Sequence, residues 1–141
     1  MKTTGITTLD HAPQVVAEWL NLLQKDLEWT DRGRAYLLLR ETLHAVRDFL
    51  TVDEAADLSA QLPLLIRGIF FEGWIPAKTP ASLRTVDDFL NRVMKPFSDD
   101  LPFEPDVAVA AVLSLLRRQI SPGEYRQVAW AMRKPLRDLW M

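Results

Sequence analysis

"RAYLLLRETLHAVRDFLTVDEAADL", residues 34–58, decides how this chain folds. Ala35, Leu38, Leu39, Thr42, Leu43, Val46, Phe49 and Leu50 recur at spacings of three and four, which lines them up as one apolar stripe of an amphipathic helix. The stripe stops at "TVDE". There Thr51 can accept from the backbone three residues on while Glu54 reaches back to the Thr51 N–H, a capping box that closes one helix and opens the next. Upstream, Val16, Trp19, Leu20, Leu23 and Leu27 mark a first helix starting near Asp10. Downstream, Pro63 breaks or restarts the chain, because its ring cannot follow an interior helical turn. A fourth helix runs on to about Glu72, and "GWIPAKTPAS" from Gly73 is a loop rich in Gly and Pro.

The same order then returns. Thr85 with Asp88 opens a fifth helix, "TVDDFLNRV", and Pro105 suits the first turn of a sixth, where its missing N–H needs no partner. "SPGE", Ser121 to Glu124, reads as another capping box at the start of a seventh, and "KPLRDLW" forms the eighth. Sliding the chain against itself by 70 residues lays "EWLNLLQK" over "DFLNRVMK" and Leu43–Glu54 over Leu113–Glu124. Few pairs are identical, but Leu20 meets Leu90, Asn21 meets Asn91, Arg47 meets Arg117, Glu54 meets Glu124 and Arg67 meets Arg137 without a gap. The expected fold is all-α: about eight helices as two tandem four-helix units, an internal duplication with residues 1–75 in one repeat and 76–141 in the other. The two units are expected to share one core as a single compact bundle.

Composition narrows the function. The chain of 141 residues has no Cys, which removes disulfides, thiolate nucleophiles and thiolate metal sites. The N-terminus lacks the apolar core of a signal peptide, and no run approaches the ~18 apolar residues of a membrane span, so a soluble cytoplasmic protein without membrane contact is expected. Net charge is −2, without the positive field of a nucleic-acid binder. The basic cluster of Arg117, Arg118, Arg126, Arg133, Lys134 and Arg137 fits helix ends and solvated faces.

Arg67 stands inside a helix apolar on nearly every side, and Arg137 is its counterpart. Such a helix is normally buried, so both arginines are expected to be buried and bonded to a carboxylate or to helix-end carbonyls. Glu54 and Glu124, each 13 residues upstream, complete a candidate set for a structural ion pair or an anion site. Phe70, Phe71, Trp74 and Trp140 are expected in the core or between the halves. On the sixth helix Val107, Ala108, Ala111 and Leu115 form a second apolar face, and Ala108, Ala111 and Leu115 are candidates for a homodimer interface or for a face covered by the N-terminal half.

Chemistry is sparse. Glu41 and His44 have the Glu-x-x-His spacing used by di-iron bundles, but the positions 70 residues on hold Ala111 and Ser114. His44 also lies opposite the stripe, so with Arg40, Arg47 and Asp48 it is expected in a solvated charge network. Asp87/Asp88 and Asp99/Asp100 are expected as solvated carboxylates at a helix start and in a loop. No phosphate-cradling glycine loop or nucleophile elbow is present. No metal, cofactor or catalytic residue is expected.

Trp29 to Trp74, "WTDRGRAYLLLRETLHAVRDFLTVDEAADLSAQLPLLIRGIFFEGW", with Thr4–Gly5, "FLNRV" at Phe89 and "LRDLW" at Leu136, is similar to the bacterial family called domain of unknown function 2267. The resemblance implies a small, soluble, all-helical bacterial protein and carries over no site residue. The expected function is a non-enzymatic scaffold or protein-interaction module; the alternative is an anion or small-molecule binding protein or enzyme using Arg67 and Arg137.

Overall fold

The computed structural model describes residues 3–82, 85–97, 103–132 and 134–140. Among the described residues eight α-helices form: α1 (Thr7–Leu27), α2 (Arg32–Phe49), α3 (Val52–Ser59), α4 (Leu64–Phe71), α5 (Val86–Met94), α6 (Pro105–Gln119), α7 (Pro122–Ala131) and α8 (Lys134–Trp140), with a 3₁₀ turn at Pro76–Lys78. Among the described residues there is no strand, and no helix is long and apolar enough to cross a membrane. The Asp99/Asp100 pair and Arg133 lie outside the described residues.

The caps act where the sequence places them, with one change at each end of the chain. Helix α1 begins at Thr7 rather than near Asp10. The Asp10 carboxylate turns back to take the N–H of Thr4 at 2.7 Å and of Gly5 at 3.2 Å, anchoring the entering turn instead of capping the helix. Thr51 with Glu54 and Thr85 with Asp88 form complete capping boxes. Ser121 accepts from the Glu124 N–H, but the Glu124 side chain does not reciprocate, so "SPGE" is half a box.

The helices pair in a pattern that repeats at the 70-residue offset. Helix α1 packs on α2 and α4 as α5 packs on α6 and α8, while α1 crosses onto α6 as α5 crosses onto α2. Helices α2 and α6, and likewise α3 and α7, pack against their own counterparts. Each half therefore lends its first helix to the other, and one contiguous core runs from Trp19 to Trp140. The stripe read from Ala35 to Leu50 is buried throughout. Large fully buried side chains such as Leu23, Leu38, Phe70, Phe89 and Leu113 come from both halves, so burial of this apolar surface ties the halves together.

Candidate functional site

Arg67 and Arg137 act at helix ends. The Arg67 Nε donates to the Ser59 carbonyl at 2.9 Å, which also accepts the Leu62 N–H at 3.1 Å, and its Nη2 donates to the Leu62 carbonyl at 3.1 Å, in the turn between α3 and α4. The Arg137 Nη2 lies 3.3 Å from the Met132 carbonyl and 3.4 Å from that of Trp130 at the end of α7, and its guanidinium stacks 4.0 Å above the Trp130 ring. Leu62 and Met132 are themselves counterparts. Burial differs from expectation: Arg67 is exposed and Arg137 half-buried. The reason is that α4, although apolar on nearly every side, is not covered on every side. Ile66 and Phe70 point into the core, whereas Leu64, Leu65 and Gly68 face out beside Arg67. A guanidinium reaching helix-end carbonyls from outside stays wet on its far side.

Glu54 and Glu124 line one cleft and bond to neither arginine. Helices α3 and α7 bring them together with Asp57, Gln127, Val128 and Ala131 around a cleft of about 120 Å³. Burial, and then the neighbouring Asp57, pushes the Glu124 carboxyl above its ordinary value. Glu124 is free to turn there because its expected partner is already taken: the Ser121 N–H donates to Gln61 Oε1 of the other half at 3.2 Å. For the Thr51 box the position answering Gln61 is Ala131 of the second half, whose side chain has no acceptor to offer, and the Thr51 N–H binds its own Glu54 at 2.8 Å. Among the described residues no group of three His, Asp or Glu is placed to hold a metal ion.

The candidate interface on α6 lies within the bundle. Ala108 and Leu115 are buried and Ala111 half-buried on a helix that packs against α1, α2, α5, α7 and α8. Val107 departs from that face and is 60% exposed. The aromatics pack as expected, with Phe70 and Trp140 in the core and Phe71 against Trp74 at 4.9 Å between ring centres.

The polar cluster on α2 is where sequence reasoning went astray. His44 and Arg47 are 5% and 3% exposed instead of solvated, and Glu41 is buried beside them. His44 Nε2 donates to the Ile69 carbonyl at 2.8 Å, since a carbonyl can only accept, and Nδ1 lies 3.6 Å from Glu41 Oε2. Arg47 Nη1 donates to the carbonyls of Phe70 at 3.1 Å and Glu72 at 2.8 Å, closing the end of α4, while its Nε takes Asp48 Oδ1 at 2.9 Å. Arg92 from α5 reaches the other Asp48 oxygen at 3.0 Å, and Arg40 pairs with Glu72 at 2.9 Å. Burial lowers the His44 pKa, the Ile69 carbonyl opposes this, and the nearby Arg47 lowers it further. What covers this face is α4 and the segment after it, which no periodicity within α2 could reveal.

A family model described as an uncharacterized conserved protein, DUF2267, matches residues 16–139. The chain belongs to the DUF2267 family. No curated protein matches it. The DUF2267 match runs from α1 into α8, so the carbonyl-capping arginines, the α3–α7 cleft and the buried α2 cluster all fall inside it.

Proposed function

We propose that this DUF2267 protein works as a non-enzymatic helical scaffold or protein-interaction module in the cytoplasm, a duplicated unit whose two repeats, residues 1–75 and 76–141, share a core. The matched helix pairs and the matched carbonyl caps of Arg67 and Arg137 support the duplication. The observation that carries the interaction reading is the outer face of α4. Leu64 is 49% and Leu65 41% exposed, and a Cβ built at Gly68 one turn on would meet nothing within 4 Å. A flat apolar helix face of this kind gains free energy when another surface removes it from water. The anion-binding alternative is less well supported, because the Arg67 fork already serves two carbonyls and Arg137 stacks on Trp130.

A second copy is the first partner to test. Light scattering across a concentration series is expected to show mass above the 16.2 kDa monomer for the wild type. Leu65→Glu is expected to return it to monomer with its melting temperature preserved. A wild type that stays monomeric throughout overturns self-association through α4.

A further inference from the structure

The segment after α4 arches back over the end of α2 and leaves an open cleft against α5. It is pinned by the Ala81 N–H, which donates to the Asp48 carbonyl at 2.7 Å. The floor is Phe49, only 5% exposed and set edge-on to Phe89 at 5.2 Å between ring centres. Two adjoining lobes of about 280 Å³ and 460 Å³ share Phe49, Lys78, Ala81 and Arg92. Among the described residues their walls carry the cationic side chains of Arg47, Lys78, Arg92 and Lys95 against the carboxylates of Asp48 and Asp88.

Both carboxylates already have partners, Asp48 within the cleft and Asp88 in its helix cap. Asp48 is bound by Arg47 on one side and Arg92 on the other. Asp88 takes the Thr85 N–H at 3.1 Å in its capping box. Arg92 spends only Nη2 on Asp48, so Nε and Nη1 have no partner among the described residues, and neither do the ammonium groups of Lys78 and Lys95. The cleft therefore presents positive charge within a chain whose net charge is −2. Ser82 and Asn91 add a hydroxyl and an amide to the same walls.

We propose that this cleft binds a small organic phosphate monoester, with the dianion between Lys78, Arg92 and Lys95 and the carbon body over Phe49. A phosphate suits the donor set because the spare Arg92 N–H groups can bond its oxygens while the two lysines act as mobile point charges. A monoanion would leave more of this charge unmatched. An apolar floor beneath a few convergent polar groups is the usual make-up of a small-molecule site, and the lobes are of the size such ligands need. The site is distinct from Arg67 and Arg137 and does not depend on the interaction reading of α4.

Calorimetric titration of the full chain with phenyl phosphate, inorganic phosphate and benzoate tests it. Phenyl phosphate is expected to bind one-to-one with Kd of about 1 mM or tighter at low salt. Inorganic phosphate should bind more weakly, benzoate more weakly again, and all binding should weaken as salt rises. The double variant Lys78→Ala/Lys95→Ala changes two exposed side chains, so its melting temperature is expected to hold while phenyl phosphate affinity falls about tenfold. Arg67→Gln is expected to leave the affinity unchanged. The assignment is overturned by no saturable binding, by equal affinity in the double variant, by benzoate binding as tightly as phenyl phosphate, or by loss of binding in Arg67→Gln.

Discussion

Arg47 and Arg117 occupy answering positions on α2 and α6, yet they live in different media. Arg47 is 3% exposed, with its guanidinium divided between the Asp48 carboxylate and the carbonyls of Phe70 and Glu72. Arg117 is exposed and lies 5.8 Å over the Tyr125 ring, whose hydroxyl donates to the Trp140 carbonyl. The residues around them follow suit: Glu41 and His44 are buried, whereas Ala111 is half-buried and Ser114 exposed. Similar helices in similar pairings thus present one dry polar face and one wet one. The difference arises because α4 and the segment that follows it lie over the end of α2.

The largest expected effect is at the arginines themselves. Arg47→Met leaves Asp48 without its buried partner and strands two carbonyls, so urea unfolding is expected to show a loss of about 3–5 kcal/mol. Arg117→Met should stay within about 0.5 kcal/mol of wild type, as exposed positions do. Equal losses at the two sites would show that the faces are not different after all.

His44 sharpens the contrast through pH. Its folded-state pKa lies below 6.5, so the unfolded chain binds the proton more readily. The stability that comes from keeping His44 neutral is fully present above 6.5 and is lost as pH falls through the folded-state value. His44→Gln keeps a donor for the Ile69 carbonyl but cannot titrate. Unfolding measured from neutral to mildly acid pH is expected to lose part of its slope in this variant. An unchanged slope would assign the pH dependence to other groups.

The smallest effects separate the two capping glutamates. Glu54→Ala removes the acceptor of the Thr51 N–H and should cost about 1 kcal/mol. Glu124 does not cap. Its carboxyl is held above 4.5 by burial and by Asp57, so it favours the folded state below 4.5 and works against it once pH has risen through the folded-state value. At neutral pH Glu124→Ala is therefore expected to be neutral or stabilising by no more than about 0.5 kcal/mol, since the group is largely solvent-screened. Thermal melts of both variants at pH 7 check this, and matching losses would mean that Glu124 completes its box in solution.

The local signals in this chain act across three or four residues, and those were legible without a structure. Thr51, Thr85 and Ser121 each accept from the backbone three positions on, which is why the starts of α3, α5 and α7 could be read directly. The stripe from Ala35 to Leu50 announced which side of α2 faces the core. Other features depended on chain far away in sequence. Gln61 caps Ser121 from 60 residues off, which frees Glu124 to face Asp57. Ile69, Phe70 and Glu72 supply the carbonyls that hold His44 and Arg47, from 23 to 25 residues away. The open face of α4 left Arg67 in solvent although its neighbours in sequence are apolar. An N-cap hydroxyl meets the first turn of its own helix and can be read from its own letters. Whether a polar side chain stays wet is decided by whatever packs over it, and that is settled only when distant segments meet.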